Sequence, residues 1–372
     1  MYIYLDQSIE NLDLEHPDNL SKIEFLLAGY AEGNYILNAP RYLLKKFLEN
    51  DNLSRLAKDA AAYAYKNYSM IYSSLEKIPY KIIIKDHGNI DNSNKQWIIS
   101  LKNITYGFLV NGVVILGENL NDSKFLNFAA KHFQLTSAEY KSFSLINHFH
   151  GGGGSTTCNE LDNLLLRKLN HIFCFLDSDK VSPSCNHTST AKKCIKSIYQ
   201  NSWIGMYSST EDFREAENLI PNSLLERIEG FPMSNLNRIR DIEERHQIHF
   251  YEYIDIKNGL TKKFLNKVNE TESPRKVFWD NISNKLEQEG IEFECNIIND
   301  VCTTHTQLED NVCQILPAGT KKTLNSTINL LEQISIDDSY KIIIDDPSNK
   351  AWFDIGETIF WLSCALPKIR LS

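Results

Sequence analysis

The sequence lacks any long apolar segment. Among its 372 residues, no apolar run approaches the roughly 18–20 residues that a membrane-spanning helix requires. A basic leader is also missing, because the first residues, MYIYLDQSIENLDLE, are acidic, which argues against a secretory signal or a transit peptide. With 42% hydrophobic and 23% charged residues, the composition is ordinary for a globular protein. We therefore expect a folded cytoplasmic protein with no membrane partner.

Positive charge is also in short supply. The chain has 39 Lys and Arg against 48 Asp and Glu, so its formal net charge is −9. This excess of acid argues against a nucleic-acid partner held by general electrostatic attraction. At roughly 100–200 residues per domain, the length suggests two or three domains.

The eight cysteines include no CxxC pair, and a cytosolic chain of this size needs no disulfides to form a core. Cys185 and His187, with Cys158 and Cys194 on either side, can be drawn as a zinc cluster, but their spacing fits no common zinc pattern. We therefore expect free, partly buried thiols.

Hydrophobic patterning divides the chain into three regions, predicted at residues 1–78, 79–232 and 233–372. The first is mainly helical after a short strand, Tyr2–Leu5. The third is a mixed α/β region with an accessory or partner-binding role. Helices are predicted at 20–33, 40–49, 53–68, 236–245, 273–287 and 355–365, and a strand at 340–344.

The central region alternates apolar strands with amphipathic helices. Strands are predicted at 80–85, 96–101, 105–110, 113–117, 142–147, 172–176 and 203–207, and helices at 121–133, 157–169 and 188–200. Near-continuously apolar strands that alternate with helices predict a parallel sheet covered on both faces. The predicted class is therefore α/β, with this sheet between a helical N-terminal region and a mixed C-terminal one.

Acidic residues follow these strands. In an open parallel sheet, ligands bind beyond the carboxyl ends of the strands. Glu118 follows VVILG, Asp177 and Asp179 follow IFCFL, and Glu215 and Glu217 come shortly after the last predicted strand of the region. Gathered carboxylates repel one another unless a cation neutralises them or one is protonated. Oxygen ligands suit Mg²⁺ or Mn²⁺, which would activate water and neutralise a phosphodiester.

Two alternatives remain for individual acids. Glu118 acts either as a metal ligand or as a general base. In a purely structural interpretation, Glu118 and Asp177 are helix N-caps or first-turn acids favoured by the helix dipole.

The ordered motifs VVILGENLNDSKFL, IFCFLDSDK and REAENLIP resemble the Toprim domain, and in detail the Toprim segment of OLD-type nucleases. The resemblance covers about residues 110–225. It implies a Toprim-like catalytic domain, a Mg²⁺- or Mn²⁺-dependent endonuclease acting on DNA or, as the alternative, on RNA, and a role in defence against phages or plasmids. No Walker A sequence, GxxxxGK[ST], occurs, so an ATPase or sensor would be a separate protein.

A glycine-rich segment follows the second of these strands. In HFHGGGGSTT, the backbone of Gly152 and Gly153 and the hydroxyl of Ser155 are predicted to bind phosphate, and His150 to contact it or donate a proton. The alternative is a flexible strand-to-helix turn, capped by Ser155 or Thr156.

Lysines near the acids have two interpretations. Lys180 either stabilises the transition-state charge or pairs with Asp179. Lys192 and Lys193 lie on a basic helix face that either contacts the nucleic-acid backbone or is simply solvated.

Two other functions stay open. Asp6, at the end of YIYLD, faintly resembles the early metal-binding Asp of a PIN-type ribonuclease. A non-catalytic regulatory subunit of a defence complex would use its flanking regions to bind a partner. The net charge predicts that nucleic acid is bound weakly without a partner, and the sequence leaves a homo-oligomer open.

Overall fold

The computed structural model describes residues 1–69, 75, 78–88, 90–93, 95–200, 203–269, 274–299, 301–308 and 312–369. It has an α/β architecture, which confirms the predicted class. The chain forms two compact units, each made of separate segments, so the predicted three-part division at residues 78 and 232 does not coincide with them. Unit one comprises Met1–Phe175, Lys193–Ser208 and Phe353–Ser372, and unit two comprises Leu176–Lys192 and Ser209–Trp352.

Strands and helices are numbered in chain order. The strands are β1 (Tyr2–Leu5), β2 (Ile36–Asn38), β3 (Lys81–Lys85), β4 (Asp91–Ser93), β5 (Gln96–Ser100), β6 (Val113–Gly117), β7 (Ser144–Leu145), β8 (Asn147–Gly151), β9 (Ile172–Leu176), β10 (Gly205–Ser209), β11 (Leu260–Thr261), β12 (Ile297–Ile298), β13 (Val301–Cys302), β14 (Thr306–Leu308), β15 (Val312–Leu316) and β16 (Cys364–Ala365). The helices are α1 (Pro17–Ala31), α2 (Arg41–Leu48), α3 (Arg55–Lys66), α4 (Leu120–Gln134), α5 (Thr157–Arg167), α6 (Ser189–Gln200), α7 (Asn222–Leu225), α8 (Met233–His246), α9 (Lys262–Asn269), α10 (Pro274–Gln288), α11 (Thr323–Gln333), α12 (Ile336–Ile343) and α13 (Lys350–Ser363).

The N-terminal sheet of unit one has the strand order β2-β1-β3-β5-β4. Strands β1, β2, β3 and β5 are parallel, and β4 is antiparallel to β5. Residues 1–78 thus hold the three predicted helices, α1 to α3, together with two strands of this sheet. The short apolar strands are buried because helices cover them, and Ile3, Leu5 and Ile36 are fully buried.

The second sheet of unit one has the order β10-β9-β6-β8. Strands β6 and β9 are buried throughout, as their apolar sequences predict, and both β8 and β9 are parallel to β6. Of the strand predicted at 142–147, Ser144–Leu145 forms β7, which pairs with β16, whereas the parallel neighbour of β6 is β8, Asn147–Gly151. A strand at the edge of a sheet can carry half-exposed polar side chains, so NHFHG lacks the apolar pattern that predicts a buried strand.

Two other strand predictions were wrong. Residues 105–110 form turns, in which Gly107 and Leu109 have positive φ angles of 101° and 54°. Residues 340–344 lie mainly in helix α12 and its end. The side chain of Ser335 caps that helix by accepting from Asp338 N, which starts a helix in spite of the β-branched run that follows.

Residues Phe353–Ser372 complete unit one. The ring of Phe360 packs against Phe133, Tyr140 and Phe143, with centroids 5.3–6.1 Å apart. Strand β16 pairs with β7, and Ile146 N donates to Ser363 O at 2.9 Å. This aromatic-rich segment is therefore core.

Unit two consists of helices around a small antiparallel sheet, β11-β15-β14, with a separate hairpin, β12-β13. Trp279 on α10 is fully buried, and its Nε1 donates to Val181 O at 2.6 Å. This bond fixes the segment that follows β9 onto the helical layer. In the described part of the chain, none of the helices combines the length and apolar character needed to span a bilayer.

Candidate acidic site

Glu118 lies in a tight loop between β6 and α4 in unit one. Asn119 begins the helix as its N-cap, in a capping box with Asp122, so the N-cap alternative belongs to Asn119 and not to Glu118. The carbonyl oxygen of Glu118 accepts from Gly153 N at 2.8 Å and from Gly154 N at 3.2 Å. The backbone at Glu118 is therefore fixed from two sides.

The glycine-rich segment holds this loop in place through backbone hydrogen bonds. Gly152 N donates to Gly117 O at 2.9 Å, so the amides of Gly152 to Gly154 are taken up by the neighbouring loop and do not point to a phosphate. A Cβ at Gly152 would lie 2.4 Å from the Thr157 side chain, which requires glycine there. Ser155 is exposed and Thr156 makes no capping bond to α5. The backbone N–H groups of Gly152 and Gly153, which were predicted to bind phosphate, are therefore already hydrogen-bonded within the protein.

His150 lies on β8, not in the loop after the strand as predicted. Its Nδ1 is 3.4 Å from Glu160 Oε1, and its ring is 5.2 Å from that of His148. Partial burial and the neighbouring His148 lower the pKa of His150. The imidazole is therefore mainly neutral at pH 7 and would accept a proton before it donates one.

In unit two, Asp177 follows the last residue of β9. Its Oδ1 accepts a hydrogen bond from Ala216 N at 2.8 Å. This bond brings the IFCFLDSDK motif into contact with the REAENLIP motif. The sequence had shown only the order of the two motifs along the chain. Residues 177–188 contain no helix, so the alternative role of Asp177 as a cap of its own following helix is wrong.

The chain turns sharply at Asp179, which has a φ of 52°, a left-handed conformation that few non-glycine residues adopt. Its N–H donates to Arg214 O at 3.0 Å. Desolvation raises the pKa of Asp179, and the nearby Arg214 and Lys257 oppose that effect. Lys180 N donates to Ser178 Oγ, and in the described chain no ion pair joins Lys180 to Asp179.

Glu215 and Glu217 are both buried, with relative exposures of 7% and 2%. The ammonium of Lys257 lies 3.0 Å from Glu217 Oε1 and 3.8 Å from Glu215 Oε2. Burial raises the pKa of Glu215 to about 7, with Asp255 and Glu217 acting in the same direction. Although burial acts to lower it, the pKa of Lys257 is raised by Glu217 and Glu215.

Arg214 completes the charge network from the other side. Its guanidinium approaches Asp255 at 3.8 Å and Glu215 at 4.0 Å. Asp255 and Lys257 were missed by sequence analysis, because nothing local links them to residues some 40 positions earlier. The available signal was the Asn-Gly pair at 258–259, because Asp255 and Lys257 lie in the turn that this pair indicates.

The acids of unit two do not surround an ion in this arrangement. In the described chain, Asp177, Asp179, Glu215 and Glu217 supply no three ligand atoms within 4.8 Å of one another. Lys257 holds the position of a neutralising cation instead. Mg²⁺ usually keeps several waters and needs only one or two direct carboxylates, so these residues fit a partly hydrated ion that competes with Lys257.

A cleft of about 780 Å³ in unit two has Asp179 and Arg214 in its wall. Its other charged lining residues, Lys267 and Arg275, are basic. A smaller cleft of about 240 Å³ also contains Arg214, together with Asp255, Lys263 and Lys321. Despite the net charge of −9, basic side chains thus concentrate beside the acids, which suits a phosphate backbone. Lys192 and Lys193 are exposed on α6.

The fold defines an α/β protein with acids beyond the ends of parallel strands. Compared with protein-family models, with curated proteins and with solved structures, the chain matches none.

Proposed function

We propose that the chain is a cytoplasmic Mg²⁺- or Mn²⁺-dependent endonuclease that hydrolyses phosphodiester bonds in DNA rather than RNA. The observation that carries the proposal is the hydrogen bond from Ala216 N to Asp177, which brings a strand-end acid next to the buried pair Glu215 and Glu217. Three acids near the end of a parallel strand support a site for divalent cations, which would compete with Lys257 for the carboxylates.

In this proposal, Asp177, Asp179 and Glu217 hold the metal ions, with Glu215 as a further ligand or a base. Ions bound by these carboxylates would supply the Lewis acidity that activates a water molecule and offsets the charge of the phosphodiester. Arg214, Lys267 and Arg275 bind the nucleic-acid backbone, without base-specific contacts.

The biological setting follows from the resemblance to OLD-type Toprim segments and from charge. A protein with a net charge of −9 binds nucleic acid weakly by itself, so a separate ATPase or sensor protein would deliver or activate it. A role in defence against phages or plasmids is part of this proposal.

The test incubates purified full chain with plasmid DNA and with RNA, in Mg²⁺, Mn²⁺ or chelator. Asp177→Ala should abolish cleavage, whereas Glu229→Gln, a change at an exposed acid, should leave it intact. Cleavage that persists in Asp177→Ala would overturn the proposal. If no nucleic acid is cut with any metal, the non-catalytic regulatory subunit becomes the better interpretation.

One observation favours a second candidate, a PIN-type ribonuclease. Asp6 follows β1 and Asp86 follows β3, which are adjacent parallel strands. Ser8 links the two acids, because its N–H donates to Asp6 Oδ1 at 3.0 Å and its Oγ accepts from Asp86 N at 3.2 Å. RNA cleavage that is lost in Asp6→Ala and kept in Asp177→Ala would select this candidate.

A further inference from the structure

Four side chains of unit two bring their donor atoms together away from the acids. They are Cys295, before β12, Cys302, at the end of β13, His305, before β14, and Cys313, on β15. One ligand atom from each lies within 4.8 Å of all the others. Three sulfurs and one imidazole nitrogen form the Cys₃His set that is common in structural zinc sites.

Three of the six separations match the edges of a tetrahedron around one ion. Cys295 Sγ is 3.5 Å from Cys313 Sγ, and His305 Nδ1 is 3.6 Å from the sulfurs of both Cys295 and Cys302. With Zn–S bonds of about 2.3 Å and a Zn–N bond of about 2.0 Å, tetrahedral geometry puts ligand atoms about 3.5–3.8 Å apart. All three cysteines are free thiols, so no disulfide occupies the cluster.

The histidine is oriented as a ligand. Its Nε2 lies 2.8 Å from the carbonyl oxygen of Glu292, which accepts the ring N–H. Nδ1 is thereby left as the unprotonated nitrogen, and it faces the sulfurs. Hydrogen bonding of the second ring nitrogen to a carbonyl is the usual support of a metal-bound histidine.

The segment Cys302–His305 forms a compact turn around the sulfur of Cys302. The backbone N–H groups of Thr304 and His305 donate to Cys302 Sγ, which stabilises a thiolate. The turn is braced against the opposite strand, since Thr303 N donates to Asn296 O at 2.8 Å and Asn296 N donates to Thr304 Oγ1 at 3.0 Å. Gln307 Nε2 lies 3.8 Å from Cys313 Sγ as a further donor.

The hairpin β12-β13 has little apolar burial of its own. Ile297, Ile298 and Val301 have relative exposures of 63%, 55% and 55%. A two-stranded hairpin is at best marginally stable in water, so its order requires another source of free energy. Metal binding supplies such energy, because ligands that are scattered in the unfolded chain are held together by the ion.

We propose that Cys295, Cys302, His305 and Cys313 bind one Zn²⁺ in a closed structural site that fixes the β12-β13 hairpin to strand β15. Soft thiolate ligands with one imidazole in tetrahedral spacing select zinc over Mg²⁺ or Ca²⁺. Four donor atoms that all lie within 4.8 Å of one another suit a single ion and not a multi-iron cluster. With four protein ligands there is no open position for substrate, so the site is structural and independent of the proposed nuclease chemistry.

A second group of potential ligands also has donor atoms within 4.8 Å of one another. It consists of Glu243, His249 and Glu252. Its central acid is already satisfied by protein donors. Glu243 Oε1 accepts from Phe250 N at 2.7 Å and from Tyr251 N at 2.8 Å, and Oε2 binds Arg240 at 2.9 Å. This group therefore serves as the competing location in the test.

The experiment measures the metal content of the tag-free full chain, purified without chelator, by mass spectrometry. We expect roughly one zinc ion per chain, and a loss of roughly fivefold or more in Cys302→Ser and in Cys313→Ser. Cys158→Ser, which removes a thiol elsewhere in the chain, should keep the zinc. Equal zinc in the wild type and the two site variants, or zinc lost only in His249→Asn, would overturn the proposal.

A second measurement does not depend on the variants folding. The wild-type chain, reduced and stripped of metal, is titrated with Co²⁺. Tetrahedral thiolate ligation should give intense visible d–d bands and a sulfur-to-cobalt charge-transfer band, saturating at one equivalent and abolished by Zn²⁺. No such bands, or the weak bands of oxygen ligation, would contradict the site.

Discussion

The acidic site and the thiol cluster both lie in unit two, and they compensate crowded negative charge in opposite ways. At the acidic site, Lys257 contacts Glu217 at 3.0 Å, so a side chain of the protein already acts as the cation. In the thiol cluster, three sulfurs and an imidazole nitrogen all lie within 4.8 Å of one another, and two backbone amides donate to Cys302 Sγ.

The difference predicts how tightly each site holds an ion. An ion at the acids competes with an internal ammonium, so it binds weakly and exchanges, as a catalytic Mg²⁺ does. An ion at the thiols competes with protons alone, so it binds tightly and stays. The predictions below separate these two behaviours, from the largest expected effect to the smallest.

Glu217→Gln and Cys313→Ser should give opposite outcomes. The first changes a proposed metal ligand and should lower the cleavage rate by about 10²–10³-fold, with a loss of stability no larger than the roughly 1–2 kcal/mol expected for its partner Lys257. The second changes a proposed zinc ligand and should lower the stability of unit two by more than about 4 kcal/mol. Cleavage rates and melting temperatures of both variants check this pair.

Glu229→Gln and Cys158→Ser are the matched controls for these two changes, because neither residue belongs to its site. The comparison breaks if Glu217→Gln destabilises the chain as strongly as Cys313→Ser, since the acids would then be structural.

Glu215→Gln should stabilise the chain at neutral pH. The pKa of Glu215 is raised from the usual 4.5 to about 7, so the folded state holds its proton longer than the unfolded state. The free energy of unfolding therefore falls as pH rises from about 4.5 to about 7. Above pH 7 the ionised Glu215 costs about 3 kcal/mol, and Glu215→Gln removes this cost. Melting temperatures from pH 5 to 8 should show a gap that widens with pH and narrows when Mg²⁺ is added. A constant gap would contradict the raised pKa.

Lys257→Ala should destabilise the chain by about 1–2 kcal/mol without divalent ions, because the buried pair Glu215 and Glu217 loses its counter-ion. The partly exposed ammonium keeps this value modest. Millimolar Mg²⁺ should restore the melting temperature of this variant more than that of wild type. Lys45→Ala, an exposed lysine on α2, is the control. Equal Mg²⁺ responses in all three proteins would show that Lys257 does not occupy an ion position.

Lys192→Ala and Lys193→Ala should have the smallest effects. If α6 contacts the nucleic-acid backbone, each change should reduce the salt dependence of binding by about one unit of the log–log slope. Binding to a DNA duplex over a range of salt concentrations tests this. Slopes equal to that of Lys45→Ala would establish a solvated helix face.

The sequence predicted those parts of the fold whose pattern is strong and local. Runs such as VVILG and IFCFL admit few structures other than buried strands, and β6 and β9 lie where they were predicted. Strand β8, NHFHG, escaped because its position at the sheet edge removes the need for apolar residues. Helix α12 escaped because its cap and tertiary contacts outweigh the β-branched run.

The two candidate sites differ in the same respect. Acids at strand ends were predictable because sheet topology dictates where strands end. The positions of Lys257 and Asp255 were not predictable, because only folding brings Lys257 to Glu215 and Asp255 to Arg214. The thiol cluster was missed since the search used paired cysteines, whereas the available signal was the single C-x-x-H of Cys302 and His305.

The division of the chain between units also affects its synthesis. Unit one is interrupted after Ser208 and completed only by residues from Phe353 onward. At about 5–20 residues per second, a ribosome needs roughly 7–30 s to make the intervening chain. During that time the surface formed by Phe133, Tyr140 and Phe143 has no Phe360 to cover it. The nascent protein therefore has an interval in which chaperone binding or aggregation competes with folding, and unit one becomes native only after the segment from Phe353 onward has been made.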